Sequence, residues 1–220
     1  MSTADRLLSY QATAAILDAH QIPLAPARVV STPSEAADAA IDLGLPVALK
    51  ALSSDLTHKS DAGLVYLDLQ TPGAVESAGR TLADKTSGVQ LEGLLVQTMV
   101  AGGVEVIAGL SRDPQFSLVI MLGAGGVLVE LLDDIVLRLP PLTSQQAGQM
   151  IREIRVWHLL SGYRGQPAAD IPALAQLIVN LSDMAIRQAD RLVSLDLNPV
   201  IVLPQGGGVQ VVDARMLVRE

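Results

Sequence analysis

The chain has 220 residues, half of them hydrophobic and 17% charged, which supports a real core and excludes a disordered chain. Its formal net charge is −8 with no run of Lys or Arg, and it has no cysteine, which sets aside a nucleic-acid surface, disulfides and thiolate metal sites. No apolar run reaches the ~18 residues of a membrane span and the N-terminus lacks the order of a secretory signal, so a cytoplasmic protein is expected.

Leu7, Leu8, Ala12, Ala15, Ile16 and Ala19 recur at helical spacing and predict a helix over 7–19, closed by "IPLAP". Val29 and Val30 predict a short strand. "TPSEAADAAIDLG" reads as a helix with Ser34 as N-cap and Gly44 just past its end. A strand follows over 47–52 with Ala48, Lys50 and Leu52 on one face and Val47, Leu49 and Ala51 on the other. Further strands are expected at 64–69, 94–99 and 104–110, with a helix at 72–86 between the first two. "FSLVIMLGAGGVLVELLDD" reads as strand, glycine turn, strand; 143–156 and 170–189 read as helices; the end is two strands about a glycine turn. Aromatics are only 2%, so the core must be Ala, Val, Leu and Ile. The mixture of αβ units and antiparallel hairpins predicts an α+β architecture of two lobes: a smaller one near 22–97 and a larger one near 98–220 that includes the N-terminal helix.

The C-terminal hairpin carries the sharpest geometric signal. If "PQGG" (204–207) is a four-residue turn, Val202 faces Val209 and Asn198 falls opposite Asp213. Asp196 shares the face of Asn198, while Leu195 and Leu197 point away. Two carboxylates and an amide on one face suit magnesium, which takes oxygen ligands and leaves positions for phosphates. The alternative is a polar face on an edge hairpin. Gly123 to Gly126, "GAGG", is either a tight turn or a place where backbone N–H groups approach phosphate. Glu130 is an acid within an apolar run. Lys50 either snorkels from an edge strand or meets an anion. In "LTHKSDAG", His58 is either a surface histidine or a phosphoryl acceptor, and Lys59 could pair with an anion.

Taken in order, "PVALKAL", "THKSDAGLV", "LLVQTMVAGGVEVIAGLSRDPQF", "LGAGGVLVELL", "LLSGYRG" and "LDLNPVIV…VVDAR" resemble the ATP-grasp domain of ADP-forming acyl-CoA synthetases, relatives of succinyl-CoA synthetase, over about residues 8–217. The resemblance implies an ATP-grasp fold of two lobes, each with a sheet and helices, with the nucleotide in the cleft. It implies ATP or ADP with Mg2+ as cofactors. It assigns Lys50 to the phosphates, Gln97, Met99 and Val100 to the base, Glu105 to the ribose, and Gly125 and Gly126 to the phosphates. It assigns Asn198 and Asp213 to magnesium, and His58, Lys59 and Glu130 to catalysis, with Asp196 and Arg164 as secondary candidates. His58 would take phosphate from a phosphohistidine relay. The implied reaction couples acyl-CoA, ADP and phosphate to acid, CoA and ATP. The chain would act as the β subunit of an acid–thiol ligase, with a CoA-binding α subunit or its fused equivalent as partner in a hetero-oligomer. The alternative implied is a non-catalytic nucleotide-binding regulatory module. The sequence departs from the family at Leu64, Thr98 and Ser117-Leu118.

Overall fold

The computed structural model describes residues 5–53, 63–88, 91–125 and 134–219. The chain forms two compact units, Ala25–Ala101 and Met1–Leu24 with Gly102–Glu220. In chain order the elements are β1 (Asp5–Leu7), α1 (Tyr10–Ala19), β2 (Ala27–Val30), α2 (Pro33–Leu43), β3 (Val47–Leu52), β4 (Val65–Leu69), α3 (Pro72–Lys85), β5 (Gly93–Thr98), β6 (Val104–Asp113), β7 (Ser117–Ala124), β8 (Ile135–Arg138), α4 (Ser144–Glu153), α5 (Trp157–Leu160), α6 (Ile171–Arg187), β9 (Leu192–Val202), β10 (Val209–Val211) and β11 (Ala214–Arg219).

In the smaller unit an antiparallel sheet of order β2-β5-β3-β4 carries α2 and α3 on one face. Alternation decides which face. Val47, Leu49 and Ala51 of β3 and Leu94 and Val96 of β5 pack with Ala36, Ala39 and Ala40 of α2 and Val75, Ala78 and Leu82 of α3. Each fully buried Val or Leu contributes roughly 1.5–3 kcal/mol. The strand expected at 47–52 is found with its predicted faces, but β3 is interior, so Lys50 is not on an edge. The N-cap of α2 is Thr32, not Ser34. The Thr32 hydroxyl accepts from the Glu35 N–H while the Glu35 carboxylate accepts from the Thr32 N–H, and Pro33 takes the first helical position, where a missing N–H costs nothing.

In the larger unit the sheet runs β1-β11-β9-β6-β7-β8, with β10 also paired to β9. Its inner face (Val106, Ala108, Leu110, Leu118, Ile120, Leu122, Leu195, Leu197) packs on Met150 and Ile151 of α4 and Leu174, Leu177, Ile178 and Leu181 of α6. The helix expected over 7–19 begins only at Tyr10. Leu7 instead pairs with Leu217 in β1, and Ser9 caps the helix. The helix expected over 143–156 breaks after Glu153. There the buried Asp134 carboxylate accepts the N–H groups of Arg155 and Val156, which holds the chain extended at Ile154 before α5 begins. No helix among the described residues is long and apolar enough to cross a membrane.

Candidate nucleotide and metal site

The C-terminal hairpin has the expected register. Val202 pairs with Val209 and Leu203 N–H donates to Gly208 O at 3.0 Å, so the turn is Pro204–Gly207. Counting outward, Asn198 N–H donates to Asp213 O at 3.1 Å, and Asp196 pairs with Arg215. Leu195 and Leu197 enter the core, so Asp196, Asn198, Asp213 and Arg215 leave on the outer face, away from α4 and α6. β9 lies between β6 and β11, so the face belongs to the middle of a sheet rather than to an edge hairpin.

The electrostatics of this face are those of crowded anions. Asp196 reaches solvent, yet neighbouring atoms strip part of its water. That desolvation raises its carboxyl pKa first of all; Arg215 pulls it back and the Asp213 charge raises it further. Tyr10, at the start of α1, has its phenol raised by burial and then by the charge of Asp213. Asp213 Oδ1 accepts the Ala214 N–H at 3.0 Å. Among the described residues no three His, Cys, Asp or Glu cluster to hold a metal. The Asn198–Asp213 pair is therefore no closed cage. It offers hard oxygens on one side and leaves the other to water or phosphate, which fits magnesium and not a thiophilic metal.

In the smaller unit the residues to place are Lys50 and Gln97. They lie on adjacent strands, since Ala48 pairs with Gln97 and Lys50 with Leu95, and both face away from α2 and α3. Such diagonal neighbours stand roughly 7 Å apart. Lys50 is 7% exposed. Gln97 is 0% exposed, and among the described residues neither its amide nitrogen nor its amide oxygen has a hydrogen-bond partner. A buried unpaired amide costs about 1–3 kcal/mol. Met99 and Val100 follow β5, and Met99 N–H donates to Pro46 O at 3.2 Å. At the departure Thr98, the hydroxyl and the N–H both donate to Pro26 O. Leu64, another departure, is 4% exposed and packs in the small core, and Leu118 is buried in the large one.

Glu105 lies on the outer face of β6, exposed. Gly125 N–H donates to Glu105 O at 3.1 Å, and a Cβ at Gly125 would come within 2.8 Å of the Glu105 and Val106 backbone. Glycine is required there by strand packing, a role apart from any phosphate. Glu105 and Gly125 line a cavity of ≈ 420 Å³ whose other walls include Val104, Leu159, Tyr163 and Val202. Two buried carboxylates hold those walls. The Asp134 carboxylate accepts the Arg155 and Val156 N–H groups just before α5, while its backbone carbonyl accepts the Ala124 N–H at the end of β7. Asp170 caps α6 through the Ala173 N–H and also accepts from the N–H groups of Gly206 and Gly208 in the hairpin turn. Arg164, next in sequence to the lining Tyr163, has φ 48 and its guanidinium 5.3 Å from the Tyr163 ring.

His58, Lys59, Gly126 and Glu130 lie outside the described residues. Gly63, just beyond the first two, is at φ 64 with its carbonyl held by Lys85 Nζ at 3.1 Å. The sequence reading missed Lys85, Asp134, Asp170 and Arg215. The local signals available were the i+2 spacing of Arg215 from Asp213 on a paired strand and the position of Asp170 as an N-cap just before Pro172.

An ATP-grasp domain model matches residues 1–218 of the chain. The chain belongs to the ATP-grasp family. This ATP-grasp domain is 35% identical over 208 residues to the acetate–CoA ligase [ADP-forming] II subunit beta of Pyrococcus furiosus, covering 93% of this chain and 88% of that subunit. It is 41% identical over 209 residues to acetate–CoA ligase [ADP-forming] I of Archaeoglobus fulgidus, covering 93% of this chain but 30% of that protein, so the domain spans under a third of the longer relative. Among solved structures it resembles the dinucleotide-forming acetyl-coenzyme A synthetase 1 of Korarchaeum cryptofilum in complex with coenzyme A, Ca-AMPCP and HgCl+. The TM-score is 0.91 and the identity 35%, over 97% of this chain and 94% of that one. The α+β ATP-grasp fold with antiparallel sheets is thereby the family's own.

Proposed function

We propose that this ATP-grasp domain is the nucleotide-binding β part of an ADP-forming acyl-CoA synthetase, an acid–thiol ligase. It would pass phosphate reversibly between ADP or ATP and a phosphohistidine relay. A CoA-binding α subunit, or a fused equivalent, would complete the reaction. The observation that carries this reading is the Asn198–Asp213 pair on the outer face of the larger sheet. The relatives supply the reaction class, because both a two-subunit ligase and a single-chain ligase match this chain over 93% of its length.

In this reading Asn198 and Asp213 hold Mg2+. Bound there, Mg2+ would neutralise phosphate charge and polarise the phosphoryl group for transfer. Lys50, nearly buried, would face the nucleotide phosphates, where a desolvated ammonium acts strongly. Gln97, with an unpaired donor and an unpaired acceptor, suits the edge of the base, and binding would satisfy both. Glu105 would take ribose hydroxyls. Met99, Val100, Gly125 and Gly126 would line the nucleotide with backbone. His58 would accept phosphate, with Lys59 and Glu130 assisting. The units near 25–101 and 102–220 would act as the two lobes.

The test is calorimetric titration of ADP and ATP with and without Mg2+, on the wild type and on Asn198→Ala with Asp213→Ala. Binding that requires Mg2+ and disappears in the double variant supports the site. Mg2+-independent binding, or none, refutes it. A second arm adds a CoA-binding α subunit and follows labelled phosphate, which should reach the wild type and not His58→Ala.

A further inference from the structure

We propose that Arg215 is the anion-binding residue of the outer sheet face, its guanidinium taking the terminal phosphoryl group of bound ATP beside the Asn198–Asp213 pair. This rests on the nucleotide reading above and adds a residue that the motif-based assignments leave out.

The placement follows from strand pairing. Arg215 stands opposite Asp196 and two residues beyond Asp213 on β11, so all three share one face. Residues two apart on a strand are about 7 Å apart along it. That spacing lets a long arginine side chain reach a phosphate held at Asp213.

The partnering of Arg215 points the same way. It is exposed, and among the described residues its side chain makes no hydrogen bond and no ion pair. Other arginines on this fold are used structurally: Arg112 is spent on the carbonyls of Ala189 and Leu192, and Arg138 on Glu153. Arg215 faces Asp196 across the pair but acts on it only through space. A planar guanidinium with no partner among the described residues, beside the proposed Mg2+ pair, is the arrangement that bidentate phosphate recognition uses. One Mg2+ leaves a triphosphate still negative, and of the two arginines that β11 turns to this face, Arg215 and Arg219, Arg215 is the one next to Asp213. A structural role is the competing explanation: Arg215 could serve only to offset the Asp196 charge.

Titration of the intact chain with ATP, ADP and AMP in the presence of Mg2+ separates the two. Arg215→Ala should weaken ATP by about tenfold or more, in line with the loss of a charge-assisted bidentate contact, weaken ADP less, and leave AMP unchanged. Arg215→Lys, which keeps the charge but loses the fork, should fall between. A circular-dichroism melt of each variant shows whether it is folded, and Arg215→Lys carries the test if Arg215→Ala is not. Equal losses for all three nucleotides, or recovery of ATP binding in Arg215→Ala with Asp196→Asn, would overturn the proposal in favour of the structural role. Wild-type binding with an unchanged Arg215→Ala sinks this proposal alone. A wild type that binds no Mg-nucleotide sinks the nucleotide reading and the proposal together.

Discussion

Asn198 N–H donates to the carbonyl of Asp213 at 3.1 Å, so the two residues are joined by backbone while their side chains leave together on the outer face of the sheet. Stability and binding are thereby separable at this pair. Asp213→Asn keeps the backbone bond and should change stability by no more than about 0.5 kcal/mol, as for other surface substitutions. It removes one charge from the proposed Mg2+ site and should weaken Mg2+-dependent ATP binding by about tenfold. Urea unfolding and calorimetry on the same sample read both quantities. A large stability loss would show that the carboxylate is structural.

Gln97 gives the opposite pattern. Its buried amide has no partner among the described residues, which costs about 1–3 kcal/mol, whereas a leucine of similar size would not incur that cost. Gln97→Leu should therefore be as stable as the wild type or more so without nucleotide, and bind nucleotide more weakly. Thermal melts with and without MgADP test this: the variant should start higher and gain less. Loss of stability without ligand would mean that the amide is satisfied in solution.

Asp170 makes a purely structural prediction. One buried carboxylate accepts three backbone N–H groups, from Ala173, Gly206 and Gly208, and so fastens α6 to the hairpin turn. Asp170→Ala leaves those donors without their acceptor and should cost about 2–4 kcal/mol, the sum of a lost cap and unsatisfied buried groups. Asp170→Asn, which keeps one acceptor oxygen, should cost less. Urea denaturation ranks the three proteins, and equal midpoints would refute the clamp.

Asp196 sets a pH dependence. Its folded-state pKa is raised above the ordinary 3.8, chiefly by desolvation, so folding disfavours its charged form. Below 3.8 both states are protonated and the residue costs nothing. As the pH rises from there through the folded value, the unfolded state ionises first and stability is lost. Asp196→Asn should thus melt higher than the wild type at pH 7 and at the same temperature near pH 3. A gap that persists at pH 3 would rule out titration as the cause.

The segments legible in the sequence were those whose determinants are local. The faces of β3 follow from alternation within six residues, and the Asn198–Asp213 pairing follows from a turn of four residues at Pro204–Gly207. Where a short-range rule met a long-range contact, the contact won. Leu7 fits the helical spacing of α1, yet it pairs with Leu217, a partner no window along the chain contains. The helix expected over 143–156 stops at Glu153 because Asp134, some twenty residues earlier, takes two of its N–H groups. β8 has only four residues and carries no strand signal of its own, because it is a strand only through its pairing with β7.

The sequence by itself determined the family, the outer-face pair Asn198 and Asp213, and the two cores of Ala, Val, Leu and Ile, because motif, alternation and turn geometry are all written within a few residues of one another. Only the tertiary structure decided that Lys50 is interior, that Gln97 is buried without a partner among the described residues, that Asp170 and Asp134 are clamps, and that Arg215 stands opposite Asp196. Burial and partnering are properties of what the rest of the chain brings alongside a residue, and periodicity within one segment does not contain them.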